Sequence, residues 1–277
     1  MTIQFARRYE DEKIGTVSCN NPADIFSNWQ NEKEVWLFIA PHDDDIVIGA
    51  GLTFLAALQK KIKVFAAVIS NGRMGYCTHE QRPVIAQVRR EETQASFAAL
   101  GLPPENLYLF DYDDGSLLQN MGRRFAPNPP DSNSIAGATG LQNTLTWLLR
   151  QTKPTRVFIP NRLDLHPDHK VVHHETVISV FHAQGGIWPE LGEVIDTIPF
   201  LYEYATYSDF IKPPNILVRV SGSLTEQRLH ALALYKSQLQ IELTVKELRK
   251  TGGKEYLLEI MFEIFKPEKY ADLFNMT

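Results

Sequence analysis

Between residues 35 and 182 the chain alternates short, dense apolar runs with longer amphipathic stretches, and this alternation restricts its fold more than any other feature. "VWLFIA" (35–40), "VFAAVI" (64–69), "LYLF" (107–110) and "RVFIP" (156–160) read as buried strands. "IVIGAGLTFLAALQKK" (46–61), "VIAQVRREETQASFAALG" (84–101), "GLQNTLTWLLRQT" (140–152) and a stretch from Pro167 to His182 read as helices. Two carry end signals: lysines in the last turn of the first, which suit the helix dipole, and Gly101 closing the second. Strands that alternate with helices build a parallel sheet covered on both faces.

The rest of the chain is less regular. Residues 1–33 read as a polar, irregular or short-stranded lead-in. "IPFLYEYATY" (198–207) and "NILVRV" (215–220) read as later strands at a sheet edge or in a small subsheet. Residues 223–250 read as one long helix or two, opened by a capping box from Ser223 to Glu226, and a further helix is expected at 254–265. The Pro-, Asn-, Ser- and Gly-rich stretch 121–140 is the candidate disordered or lid segment. No linker separates two cores, so we expect one domain over 1–277, with its core sheet in 34–220 and C-terminal helices in 221–277. The chain has 28 Lys plus Arg against 33 Asp plus Glu, a net charge of −5, which disfavours nucleic acid as a partner. Two cysteines make no disulfide framework, the N-terminus has no apolar core region, and no apolar run reaches membrane-spanning length. A cytoplasmic protein is expected.

In open α/β sheets, ligands bind beyond the carboxyl ends of the strands. The loops expected there are "PHDDD", "SNGRMGYC", "DYDDGSL" and "NRLDLHPDH". The first brings His42, Asp43, Asp44 and Asp45; the last brings Asp164, His166, Asp168 and His169. Imidazoles and carboxylates converging with an open position suit a catalytic divalent metal, most often zinc, with iron or manganese as alternatives. A dication also offsets the repulsion among three adjacent carboxylates. Pro167 fits a first helical turn, so His169 is held on a helix while His166 projects from the loop before it. His173 and His174 are given core or surface roles. In "GAG", Gly49 and Gly51 serve close packing of the first helix on the sheet, because the third glycine of a dinucleotide-binding loop is missing.

These residues resemble a known family. "APHDDDIVIGAG" is similar to the "(A/P)HPDDE…G" signature of the LmbE-like, or PIG-L-like, metal-dependent de-N-acetylases, and "HPDH" at 166–169 is that family's second motif. "SNGRMG", the R-x-x-E of Arg89 and Glu92, "DYDDGSL" and "LALYKSQL" follow in the family's order, with Tyr235 in place of a histidine. The likeness spans roughly residues 35–240. It implies a Rossmann-like α/β three-layer sandwich with a mostly parallel sheet and the metal site at the carboxyl ends of the strands. By position, His42, Asp45 and His169 resemble the metal ligands, Asp44 the general base, and His166 the electrophilic or acid residue. Asp168 resembles a residue that orients a ligand from behind. Asp43 stands where relatives carry proline and Ile46 where they carry glutamate. The extra acid leaves a second register open, with Asp44 as ligand and Asp43 as base.

The activity so implied is zinc-dependent removal of an N-acetyl group from an acetamido sugar or its conjugate. Arg73, Arg89, Asp114 and Arg162 are the candidate substrate contacts, since guanidinium forks suit hydroxyls and anions. For Arg89 the structural alternative is a buried ion pair with Glu92. Trp188 and the tyrosines of 198–207 are either a sugar-stacking wall or core. Two further functions compete: a phosphoester hydrolase with two metals, and a non-catalytic sugar-binding homologue.

Overall fold

The structure, a computed structural model, describes residues 2–9, 15–75, 77–262 and 264–274. Its strands are β1 (Ile3–Arg8), β2 (Thr16–Cys19), β3 (Val35–Ala40), β4 (Lys63–Ser70), β5 (Leu107–Tyr112), β6 (Arg124–Phe125), β7 (Ala138–Thr139), β8 (Arg156–Pro160), β9 (Phe200–Tyr204), β10 (Ile216–Val220) and β11 (Lys254–Ile260). Its α-helices are α1 (Asp45–Gly49), α2 (Gly51–Gln59), α3 (Ile85–Leu100), α4 (Leu141–Thr152), α5 (Pro167–Gln184), α6 (Gly222–Leu232) and α7 (Ile241–Arg249).

Nine strands form one sheet in the order β2-β1-β10-β11-β9-β8-β3-β4-β5, and β6 and β7 pair as a small hairpin. The sheet is mixed, which corrects the expectation of a mostly parallel one. Neighbours from β9 to β5 are parallel. Those from β2 to β9 are antiparallel. The lead-in therefore supplies β1 and β2 to the main sheet. The helix expected at 254–265 is contradicted: Lys254–Ile260 is β11, inserted between β10 and β9.

The parallel half is dense because both of its faces are covered. Along β3, Trp36, Phe38 and Ala40 point into one core with α2, α3 and α6, whereas Leu37 and Ile39 point into a second core with α4 and α5. This is the period-two alternation of a strand buried on both sides. Phe158 on β8 stacks on Phe38 at 4.3 Å and on Tyr202 at 5.2 Å, knitting β3, β8 and β9 together. Truncating such a ring typically costs about 3–5 kcal/mol.

The first expected helix is two, broken at Ala50. Side chains from the antiparallel half hold the break. Glu255 of β11 accepts from Leu52 N (2.9 Å) and Thr53 N (2.8 Å) at the start of α2, and Arg228 of α6 donates Nε to Val47 O (2.8 Å) near the end of α1. An anion at a helix start and a cation at a helix end both suit the dipole. Gly49 sits against β9, where a Cβ would lie 2.4 Å from the Tyr204 ring; Gly51 faces Arg228 instead of the sheet. The expected capping box is also absent: Ser221 stands at the N-cap of α6, and Ser223 lies inside the helix. Gly101 closes α3 in the left-handed conformation (φ 92°), which glycine adopts without cost. Among the described residues, no helix is long and apolar enough to cross a membrane.

Candidate metal centre and active site

The five parallel strands end at one edge, so the loops after β3, β4, β5, β8 and β9 meet there. The loop after β3 is only Pro41–Asp44 before α1 begins at Asp45, which fixes these residues at the mouth. On the β8 side His166 is the N-cap of α5, its Nδ1 accepting from Asp168 N at 3.2 Å, with Pro167 in the first turn.

At the centre lie three side-chain atoms. His42 Nδ1 is 3.2 Å from Asp45 Oδ2 and 3.2 Å from His169 Nε2, and His169 Nε2 is 3.1 Å from Asp45 Oδ2. A tetrahedral zinc with ligands at about 2.0–2.1 Å has edges of about 3.3–3.4 Å, so this triangle fits one face of such a centre. The donors, two imidazole nitrogens and one carboxylate oxygen, suit zinc and related transition metals. His166 lies alongside, its ring 4.5 Å from that of His42, and the ring nitrogens of His42, His166 and His169 can fall within 4.8 Å of one another.

Carboxylates surround the imidazoles from behind. His42 Nε2 is 3.1 Å from Asp114 Oδ1 and 3.4 Å from Asp168 Oδ2. His169 Nδ1 is 3.2 Å from Asp164 Oδ2. These carboxylates lie at ion-pair distance from the rear nitrogens, off the line of a hydrogen bond, and favour a proton there, which leaves the opposite nitrogen for a cation. Asp168 in turn accepts from Gly115 N (2.8 Å) and Leu117 N (3.2 Å), tying the β5 loop to the first turn of α5.

The electrostatics say that this cage favours a cation. Burial opposes protonation of His42, but Asp114, Asp168 and Asp45 outweigh it and hold its pKa well above the usual value. Burial is likewise outweighed at His169, where Asp45 and Asp164 push the imidazole up to about 9. Asp45 is held low by both imidazoles despite its burial. Asp44 behaves oppositely: burial first, then Asp43 and Asp45, push it up to about 7. Three neighbouring carboxyls thus differ through what each faces. Asp45 faces the imidazoles, Asp44 Oδ2 accepts from Gln238 Nε2 at 2.8 Å, and Asp43 pairs with Arg89 Nη1 at 3.3 Å.

The profile of the GlcNAc-PI de-N-acetylase (PIG-L) family matches residues 37–180, just over half of the chain. The chain belongs to the PIG-L family. It is a hydrolase that acts on amides, a de-N-acetylase. No curated protein sequence matches it. Among solved structures, the PIG-L chain resembles a conserved protein from Thermus thermophilus (23% identity, TM-score 0.64, 84% of this chain and 97% of that one). It also resembles N,N′-diacetylchitobiose deacetylase from Pyrococcus horikoshii (24% identity, TM-score 0.64, 89% and 92%). A third similar structure is the 4-carboxy-2-hydroxymuconate hydratase of Pseudomonas putida (17% identity, TM-score 0.64, 84% and 98%). A hydratase on this fold shows that architecture alone does not decide chemistry.

The other sequence-derived residues of this PIG-L protein are distributed unevenly. Asp114 is drawn in behind His42, and its Oδ2 accepts from Met74 N at 3.0 Å. Arg73 lies exposed and paired with Asp113 at 3.0 Å, and Arg162 pairs with Glu203 at 2.7 Å. Arg89 is turned inward and 1% exposed; its carboxylate partner is Asp43, while Glu92 accepts from Ser237. Trp188 stands away from the cluster, against His182 and under the Arg123 guanidinium. His173 is held by the Pro160 carbonyl at 3.0 Å, and the His174 side chain is exposed.

Two further residues reach the site that sequence placed only within broader stretches. Gln238 reaches Asp44 from the segment after α6. Tyr207, in the loop after β9, lays its ring 5.3 Å from that of His169. Gln238 had a signal, the "LALYKSQL" segment; Tyr207 had only its place in a tyrosine-rich strand end.

Proposed function

We propose that the chain is a zinc-dependent de-N-acetylase of an acetamido sugar or its conjugate, with His42, Asp45 and His169 as metal ligands. The observation that carries this reading is the triangle of His42 Nδ1, Asp45 Oδ2 and His169 Nε2, with edges of 3.1–3.2 Å. Asp45 rather than Asp44 occupies its third corner, which supports the register with Asp44 as base. Zinc held there would supply a Lewis acid that acidifies water and polarises the acyl carbonyl.

Asp44 takes the proton of the attacking water and later delivers it to the departing amine, as the C–N bond breaks and acetate forms. Burial and the neighbouring Asp43 and Asp45 raise its pKa in the metal-free protein, which favours proton uptake at this carboxylate. His166 stabilises the oxyanion. Its Nδ1 accepts from Asp168 N, so the neutral ring carries its proton on Nε2, free to donate. Asp164, Asp114 and Asp168 hold the two imidazole ligands from behind. Arg73 and Arg162 are the guanidiniums exposed enough to meet sugar hydroxyls; Arg89, buried against Asp43, is not.

The decisive measurement is acetate release from N-acetylglucosamine and N,N′-diacetylchitobiose by protein carrying one zinc per chain. Asp44→Asn should keep the zinc and lose about 10²–10⁴ of the rate, the range of a positioned general base. Undiminished hydrolysis in Asp44→Asn would sink the assignment. Two metals per chain would point to the phosphoester alternative.

A further inference from the structure

Five residues with no part in the steps above enclose or support the three-aspartate run, and two distant segments supply them. Arg89 and Glu92 lie three residues apart on α3 and so share a face. Arg89 pairs with the buried Asp43 side chain. Glu92 turns instead to the segment after α6, where its two oxygens accept from Ser237 N (2.8 Å) and Ser237 Oγ (2.6 Å). In that segment Tyr235, fully buried, donates its hydroxyl to Asp43 O at 2.6 Å, and Gln238 donates Nε2 to Asp44 Oδ2 at 2.8 Å. Helix α3 therefore reaches the aspartate run twice: directly through Arg89 at Asp43, and through Glu92, Ser237 and Gln238 at Asp44.

We propose that Gln238 is a positioning residue for Asp44, and that Glu92 acts on the same carboxylate through Ser237. The proposal rests on the reading of Asp44 as proton acceptor. A carboxylate beside a metal site has two competing orientations. One turns its oxygens to the water; the other turns them to the cation, duplicating Asp45. Holding Oδ2 on the Gln238 amide leaves Oδ1 as the acceptor for the water proton. Gln238 could not do this from a loose segment. Residues 233–240 lie between α6 and α7 without a regular helical ladder of their own, and Ser237, 3% exposed, is where Glu92 ties them down. This gives two scattered motifs, R-x-x-E at 89–92 and the S-Q of 237–238, one purpose.

The test is a double-mutant cycle on zinc-loaded enzyme, with N-acetylglucosamine and N,N′-diacetylchitobiose as substrates. Gln238→Met keeps the length of the half-buried side chain and removes its amide. Its kcat should fall about 10²-fold with KM and zinc content unchanged, the size expected for misplacing a reacting group. Glu92→Gln should lower kcat less, and the double variant should be no worse than Gln238→Met alone, because both act on one carboxylate. Ser237→Thr, which keeps the hydroxyl, should recover most of the rate that Ser237→Ala loses. Losses that multiply in the double variant, or a Gln238→Met kcat within about twofold of wild type, overturn the proposal. A crystal structure of Gln238→Met adds a readout that needs no substrate: the Asp44 carboxylate should leave its position while His42, Asp45 and His169 stay. An unmoved Asp44 overturns the positioning role even if the wild type released no acetate from either sugar, an outcome that would count separately against the proposed function.

Discussion

Two buried polar clusters lie at opposite ends of the parallel strands, and they are built on opposite terms. At the amino end Arg156, 0% exposed, meets Glu34 through Nε (3.0 Å) and Nη2 (2.9 Å), Tyr202 OH through Nη1 (3.1 Å) and Ser27 O through Nη2 (2.9 Å). Glu34 also accepts from Trp36 Nε1 and Thr155 Oγ1, both at 2.8 Å. One cation and one anion share a full set of hydrogen bonds, and nothing further is called for. At the carboxyl end, Asp45, Asp114, Asp164 and Asp168 crowd two imidazoles. Neutral imidazoles leave that cage anionic, and protonated ones are what the raised pKa values of His42 and His169 describe. A cluster that balances itself is structural, and one that balances only with an added cation is a candidate site.

That contrast breaks most sharply by substitution at each end. Asp45→Ala should abolish zinc binding and lower hydrolysis by more than about 10³-fold, since the metal's chemistry goes with it. The fold should survive at some cost in stability, because the substitution removes the carboxylate that faces both imidazoles while it relieves repulsion with Asp43 and Asp44. Zinc content by mass spectrometry and acetate release check this; an Asp45→Ala protein that keeps stoichiometric zinc and activity would move the metal away from the triangle. Arg156→Ala should do the reverse. Stranding Glu34 without its partner should destabilise the protein by about 3–5 kcal/mol in urea unfolding, while the folded fraction keeps its zinc and its kcat. A smaller loss is expected on the catalytic side from His166→Gln, about 10²–10³-fold in kcat for one oxyanion donor, with zinc content unchanged. If His166→Gln loses zinc instead, the third histidine of the cluster is a ligand.

The same two ends explain what could be read from sequence. The parallel strands β3, β4 and β8 were legible because burial on both faces forces continuous apolar runs, and the half-buried edge strand β5 keeps a shorter one in "LYLF". The antiparallel half was legible only in part: β9 and β10 fall in stretches expected as strands, but β11 does not. "KEYLLEI" (254–260) is rich in helix-forming Lys, Glu and Leu, yet it forms β11, because pairing with β10 and β9 and the burial of Glu255 on α2 override local propensity. At the site, "PHDDD" and "HPDH" displayed the histidines and acids, since each loop is short and follows a strand. Their wiring was hidden: whether Arg89 turns toward a ligand or toward Asp43 depends on side-chain direction. Gln238 lies 194 residues from Asp44 in the chain, and only the packing of α6 on α3 brings its segment near.

The smallest expected effect is on stability with pH, and it tests the cage without any substrate. In chelated protein, His42 and His169 have pKa values above the usual 6.5 or so of an exposed imidazole, at His169 about 9. Groups raised in the folded state stabilise it fully below their unfolded pKa, and that contribution fades as pH climbs through the folded value. Asp44, raised to about 7, works in the same direction between about pH 4 and 7. Asp45 is lowered, so its contribution is present above about pH 4 and is lost only in acid. His173, lowered to about 4, weakens the fold only below about pH 6.5. Between about pH 6.5 and 9 the His42 and His169 imidazoles therefore set the slope, and the Tm of the chelated protein should fall across that window. Zinc competes with the same protons, so the Tm rise it produces should be larger at pH 9 than at pH 6.5. The Arg156 cluster holds no imidazole and offers no such slope, so Arg156→Ala should lower Tm without changing its pH dependence there. A chelated Tm that stays level from pH 6.5 to 9 would mean that His42 and His169 are not sharing protons with the surrounding carboxylates, and the contrast between the two ends would lose its electrostatic half.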